Sequence, residues 1–237
     1  MHLAIVGTGM MGSLIKDMAE VLPEIERIDT VEPVAGESLF DLPCPDVIID
    51  FSHPDTLADI CRYVRAGDGR TGVVFGTTGF TPEQLACIKA LGDAAPVIQS
   101  YNYSYGIQTL KQLLGCAVPM LGGRADVEII EKHHNLKVDA PSGTALMLAG
   151  ICDPDRQRIW LNGRQGEGKR GDEIGIHSLR GGTIFGEHSI VFALEDEVIE
   201  ISHTAFSKRI FAKGAIEAAV WLNGKKKGMY AIEDVFY

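Results

Sequence analysis

Leu3-Ala-Ile-Val6 runs straight into Gly7-Thr-Gly-Met-Met-Gly12, and apolar residues then recur at Leu14, Ile15, Met18, Ala19 and Leu22 before Pro23. The order is strand, glycine-rich turn, helix. In that setting Gly-x-Gly-x-x-Gly is a dinucleotide fingerprint. The glycines permit the tight turn and let the backbone approach a pyrophosphate, which then sits on the helix N-terminus. Gly7, Thr8, Gly9, Met10, Met11 and Gly12 are therefore candidate cofactor contacts. The competing reading is a glycine-rich βα turn with no ligand. The strand before it and the helix after it weigh against that.

Working outward, Arg27-Ile-Asp-Thr-Val31 reads as the second strand. It ends at Glu32, twenty residues past Gly12. An acid there accepts hydrogen bonds from adenosine ribose hydroxyls and disfavours a 2′-phosphate. No arginine follows it; Pro33-Val-Ala-Gly-Glu37 comes instead. Asp46-Val-Ile-Ile-Asp-Phe51 is nearly all apolar, as suits a strand covered on both faces. His53, before Pro54, reads as a turn or capping residue. Thr56–Val64 restores a helical period. Thr71-Gly-Val-Val-Phe75 leads into Gly76-Thr-Thr-Gly79, and Thr81-Pro82 starts a further helix with a threonine cap and proline in its first turn. Pro96-Val-Ile-Gln-Ser100 is another strand. This alternation predicts a Rossmann-like, doubly wound parallel sheet of the α/β class, with ligands at the strand C-termini. Gly76, Thr77, Thr78, Ser100, Tyr101, Asn102 and Tyr103 lie at those ends. Each stretch by itself is only a loop of small polar residues.

After Gly106 the pattern changes. Ile107–Leu114 is helical, and strand patterns follow at Asp126–Glu131, Gly175–Arg180, Ser189–Ala193 and Glu197–His203. Gly181-Gly182 and Glu195-Asp196 supply turns. This predicts an α+β domain with an open mixed or antiparallel sheet and helices on one face. Open edges must be paired or covered. Asn162–Gly171, rich in glycine and charge, reads as a mobile loop. Ala212–Leu222 is a final amphipathic helix.

Between the 126–131 strand and a helix starting near Ser142 lies Glu131-Lys-His-His-Asn-Leu-Lys-Val-Asp-Ala-Pro-Ser-Gly-Thr144. Ser142 is a good cap. Free N–H groups at that helix start, with its dipole behind them, form an anion site. Lys137 and two imidazoles add positive charge and titratable protons. Adjacent histidines are more often surface decoration, and a Pro-Ser-Gly-Thr turn is more often only a cap. The crowding of these features into one stretch favours a pocket for a small dianion that exchanges a proton. A metal site is disfavoured: neighbouring side chains diverge, and no second correctly spaced ligand follows.

This stretch, extended to Ala145, fits without a gap the signature Glu-x-His-His-x-x-Lys-x-Asp-Ala-Pro-Ser-Gly-Thr-Ala, and so resembles the 4-hydroxy-tetrahydrodipicolinate reductase (dihydrodipicolinate reductase) family. The resemblance continues in Val47–Ser52, Phe75–Gly79, Asn102–Gly106, Gly175–His188 and Phe211–Ala215. It implies a dinucleotide-binding domain over residues 1–103, with 213–237 packing back on it. It implies a substrate-binding and tetramerisation domain over 104–212. It implies His133 as proton donor/acceptor and Lys137 as proton donor, with His134, Gly143 and Thr144 on a substrate carboxylate. The stretches at Gly76–Thr78 and Ser100–Tyr103 would contact ribose and nicotinamide. The implied reaction is NAD(P)H-dependent reduction of (2S,4S)-4-hydroxy-2,3,4,5-tetrahydrodipicolinate with loss of water, in a homotetramer, on the diaminopimelate route to lysine. Relatives commonly carry arginine where this chain has Met10, in a longer loop, and an arginine near Glu32. Both departures remove positive charge, so the expectation leans to NADH, or to dual use with NADPH.

Composition sets the remaining bounds. The chain has 237 residues, 46% hydrophobic and 23% charged, ordinary for a folded protein of one large or two modest domains. No apolar run reaches the roughly 18 residues of a membrane span. No leader is visible, which gives a cytoplasmic expectation. Five cysteines without a Cys-x-x-Cys pair suggest reduced, scattered thiols. A net charge of −10 argues against nucleic-acid binding, so an anionic substrate needs local cations; Lys132, Lys137, Arg180, Lys208 and Arg209 are candidates. Lys225-Lys-Lys227 reads as a solvated turn. Two rivals stay open: another nicotinamide-dependent reductase of small anionic imines, and a dinucleotide sensor without catalysis. A hydrolase built on Ser142 lacks the Gly-x-Ser-x-Gly elbow.

Overall fold

A computed structural model describes residues 1–237, which form two compact units: Met1–Tyr105 with Arg209–Tyr237, and Gly106–Lys208. In chain order the first unit contains β1 (His2–Val6), α1 (Met10–Ala19), β2 (Arg27–Val31), β3 (Val47–Asp50), α2 (Leu57–Ala66), β4 (Gly72–Phe75), α3 (Pro82–Leu91) and β5 (Pro96–Gln99). Next come α4 (Tyr105–Leu121), β6 (Asp126–His133), α5 (Gly143–Cys152), β7 (Ile159–Asn162), β8 (Glu173–Arg180), β9 (Gly186–Ala193) and β10 (Val198–Ala205). The chain returns to the first unit with α6 (Arg209–Leu222), β11 (Gly228–Tyr230) and α7 (Glu233–Phe236).

The first unit is a six-stranded sheet in the order β11-β5-β4-β3-β1-β2, with every pairing parallel. Residues of β1 alternate between its two faces. Leu3 and Ile5 pack with Ile15 and Ala19 of α1 and Ala215, Ala218 and Ala219 of α6. Ala4 and Val6 pack with Ile60 and Val64 of α2 and Ile88 and Leu91 of α3. Helices thus cover both faces, and β3 and β4 are buried along their whole length, as the apolar runs require. Thr81 and Gln84 complete a reciprocal capping box at α3, with Pro82 in its first turn. His53 caps a short turn before α2 by accepting from Asp55 N at 3.4 Å.

β1 lies between β2 and β3, so the direction of winding reverses beside it. The Gly7–Gly12 turn leaves the sheet at that switch point, where open α/β sheets hold ligands. Gly7 has φ +93, and a Cβ there would lie 2.5 Å from Phe51 O. Gly12 packs directly on the Gly7 carbonyl. We expect Gly12→Ala to cost roughly 1–3 kcal/mol through overpacking. Urea melts would measure this; an unchanged midpoint would contradict the tight turn.

The second unit is a five-stranded mixed sheet, β10-β9-β6-β8-β7. β9 is antiparallel to β6 and β10; β8 is parallel to β6 and β7. Val127 and Ile129 of β6 pack with Ile107, Leu110 and Leu114 of α4 and with Ala145, Leu148 and Ala149 of α5. Two short edge strands, β7 and β11, were not anticipated, and α4 runs further than the expected 107–114, with Pro119 in its last turn. No helix is long and apolar enough to cross a membrane.

Candidate functional site

The inward face of β6 is Val127, Ile129, Glu131 and His133, all buried. The first two belong to the apolar core; the last two carry the same face past its end. A buried acid and a buried imidazole in that position require partners. Parallel pairing with β8 sets Arg180 directly across from His133. The Arg180 guanidinium reaches both oxygens of Glu131 at 2.7 Å each. His133 Nδ1 lies 2.6 Å from Glu131 Oε2, and Ser142 N donates to Oε1 at 3.1 Å. Burial alone would raise the Glu131 pKa, but the bonds from Arg180, His133, Ser178 and Ser142 outweigh it and hold it at about 2. Burial lowers His133; Lys137 and Arg180 push the same way, and Glu131 opposes. Burial, with His133 beside it, lowers His188 to about 3. The His133 and His188 rings meet edge to face at 5.2 Å between centroids.

Ser142 caps α5 through Ala145 N at 3.2 Å, and its hydroxyl lies 3.1 Å from His188 Nε2. Gly143 and Thr144 open the helix, and a Cβ at Gly143 would meet nothing within 4 Å. Lys137 pairs with Asp139 at 2.7 Å, and the Asp139 carbonyl accepts from Arg180. His134 follows the strand, half-buried; its Nδ1 is buried with no hydrogen-bond partner. One unit therefore gathers three imidazoles, an ammonium and a helix N-terminus. Chemically, this set can hold a carboxylate and exchange a proton.

Ser142→Ala should cost about 1 kcal/mol from the lost cap; a thermal melt indistinguishable from wild type would contradict the capping bond. Because the folded pKa of Glu131 is depressed from 4.5 to about 2, its contribution to stability is complete above about 4.5 and is lost as pH falls towards 2. Glu131→Gln should flatten the acid limb of a stability–pH curve; an unchanged slope below pH ~4.5 would count against the buried ion pair.

In the first unit, α1 begins after Gly9 with no capping side chain and no acidic residue in its first turn. A Cβ at Gly9 would meet nothing within 4 Å. The helix start is open, as a pyrophosphate cradle requires. Thr8, Gly9 and Met10 are exposed, whereas Met11 packs on the core and Gly12 is buried. Glu32 follows β2 and accepts from Thr8 N and Thr8 Oγ1, both at 2.8 Å, which keep its carboxylate below the usual range. Gly76, Thr77 and Thr78 follow β4, with Thr78 exposed and Thr77 Oγ1 accepting from Ser52 N at 2.9 Å. Ser100 and Asn102 lock the turn after β5 through the Ser100 hydroxyl, which donates to Asn102 O and accepts from Asn102 N. Tyr101 is exposed, while the Tyr103 ring is buried and its hydroxyl donates to Phe75 O at 2.7 Å. The Tyr103 side chain thus serves the core.

The sequence reading passed over several members of these clusters. Glu131 stands in the sequence as part of a signature, and its i, i+2 relation to His133 puts both on one strand face. His188 lies on β9, and nothing local ties it to Ser142. Asp50, fully buried at the end of β3, is bonded to Ser52 and Thr77, leaves Oδ2 without a partner, and is raised by burial to about 6.

Both units have counterparts among known proteins. The family model described as "Dihydrodipicolinate reductase, N-terminus" matches residues 1–103, and that described as "Dihydrodipicolinate reductase, C-terminus" matches 106–236. The 4-hydroxy-tetrahydrodipicolinate reductase of an Exiguobacterium species is 43% identical over all of this chain and 96% of its own. That of Exiguobacterium sibiricum is 45% identical with the same coverage, and that of Clostridium novyi is 46% identical over 96% of this chain and 94% of its own. Among solved structures, the dipicolinate-bound dihydrodipicolinate reductase of Paenisporosarcina sp. TG-14 covers 97% of both chains with TM-score 0.75 at 24% identity. A myo-inositol dehydrogenase of Corynebacterium glutamicum shares the fold more distantly, with TM-score 0.57 at 14% identity. With both halves matched and full-length relatives above 40% identity, the chain belongs to the dihydrodipicolinate reductase family.

Proposed function

We propose that this chain reduces 4-hydroxy-tetrahydrodipicolinate to tetrahydrodipicolinate, with loss of water and at the expense of NADH or NADPH, on the diaminopimelate route to lysine. The observation that carries this reading is the cluster around β6 and α5. His133, His134 and Lys137 lie between β6 and the N-terminus of α5 there, in a chain that also offers a glycine turn without a capping side chain for a dinucleotide.

Residues 1–103 with the C-terminal segment 213–237 act as the dinucleotide-binding domain, and residues 104–212 as the substrate domain. The Gly7–Gly12 turn holds the pyrophosphate, Glu32 the adenosine ribose, and the Gly76–Thr78 and Ser100–Tyr103 turns the nicotinamide end. When bound, the reduced nicotinamide supplies the hydride. Gly143, Thr144 and His134 hold a substrate carboxylate, and the unpartnered His134 Nδ1 supports that role. His133 and Lys137 exchange protons with the ring. The ionised Glu32, with no arginine after it, favours NADH. We expect kcat/KM for NADH to exceed that for NADPH by about tenfold, which corresponds to about 1.4 kcal/mol. A preference for NADPH would remove the role given to Glu32. The β10 edge, with Val198 and Ile199 exposed, supports assembly into a homotetramer, which ultracentrifugation would test.

Crystals soaked with NADH and pyridine-2,6-dicarboxylate test the site directly. The expected result is one carboxylate on the Gly143 and Thr144 amides with His134 beside it. A diacid bound elsewhere, or imidazoles turned away from it, would overturn the assignment.

A further inference from the structure

Glu131 joins three elements: β6, which carries it; β8, through Arg180; and the start of α5, through Ser142 N. Every group bonded to it is, or can be, a donor. Arg180 remains protonated and the Ser142 amide can only donate, so the carboxyl stays ionised and can only accept. Its contact with His133 is therefore an Nδ1–H donation, which leaves the lone pair of the neutral ring on Nε2. Gly186, at the start of β9, keeps space beside that nitrogen: a Cβ there would lie 3.1 Å from Nε2.

We propose that Glu131 is a positioning residue: it fixes the His133 ring with Nδ1–H bound and Nε2 as the working nitrogen, and ties that ring to the N-terminus of α5. The proposal rests on the reading of His133 as a proton-transfer residue. In the neutral resting ring Nε2 is the nitrogen open to a proton. The imidazolium formed at His133 is then stabilised by the adjacent carboxylate. The groups facing the ring are Glu131 from β6, Arg180 from β8, His188 from β9 and Lys137, paired with Asp139, from the loop after β6. Arg180 and Lys137 oppose a charged imidazole, and Glu131 favours it.

Nitrogen-15 NMR of the wild-type chain at neutral pH reads the tautomer without any substitution, with His133 assigned by its absence in His133→Gln. A protonated, pyrrole-type Nδ1 and a pyridine-type Nε2 are expected. Glu131→Gln keeps the size but presents an amide to donors. It should lower kcat by about 10–100-fold, as loss of a group that orients another does, with KM for NADH unchanged. The inflection of the pH–rate profile belonging to His133 should move to lower pH, a change that loosened packing alone would not produce. An active His133→Gln variant would remove the catalytic reading and this proposal with it. An inactive His133→Gln together with an Nε2–H tautomer in the wild type would overturn the proposal alone. So would a folded Glu131→Gln variant with wild-type kcat and pH profile.

Discussion

His133→Gln is expected to lower kcat by roughly 10²–10⁴-fold, the range for loss of a positioned acid–base group, while the dissociation constant for NADH stays near the wild-type value. The imidazole sits at the end of β6, buried and bonded to Glu131. The turns proposed to hold the nucleotide follow β1, β2, β4 and β5 of the other unit. Glutamine can accept or donate a hydrogen bond, but it does not titrate near neutral pH. Substrate affinity should therefore fall less than turnover. Equal losses in kcat and in NADH affinity would mean that the substitution disturbs the fold, and a near-normal kcat would remove His133 from the chemistry.

Lys137→Ala should lower kcat/KM by about 10²–10³-fold if, as proposed, it removes both a proton donor and a charge beside the developing negative charge. The ammonium is paired with Asp139 at 2.7 Å, a pairing for which an anionic substrate would compete on the proposed function. Lys137→Arg separates the two contributions. A guanidinium keeps the charge but does not give up its proton at ordinary pH. It should restore substrate KM more than kcat. Recovery of both by arginine would make Lys137 an electrostatic anchor only, and a fully active alanine variant would exclude it altogether.

Much of the architecture was legible because local chemistry and tertiary position agree. Gly7 needs its positive φ, Gly12 needs contact with the Gly7 carbonyl, and the strand before them is apolar on both faces. Thr81, Pro82 and Gln84 announce α3 within four residues. Ser142 announces α5 in the same way. Strands β7 and β11 escaped notice because four and three residues at sheet edges are too short to show a period. The helical pattern of Ile107–Leu114 continues as α4 to Leu121, through a segment that carries Pro119, a residue that removes one backbone donor from the helix. The network around Glu131 lay half in view. Its spacing to His133 is local, but the facing Arg180 depends on the register of β6 with β8, and His188 arrives from β9. No pattern within one segment encodes such pairings.

The most direct test of the central claim is a steady-state assay with enzymatically generated 4-hydroxy-tetrahydrodipicolinate, following NADH loss by absorbance and product by mass. The wild-type chain should consume one NADH for each tetrahydrodipicolinate formed, and His133→Gln should bind NADH yet turn over far more slowly. A wild-type chain that binds NADH but leaves both it and the substrate unchanged would contradict the account.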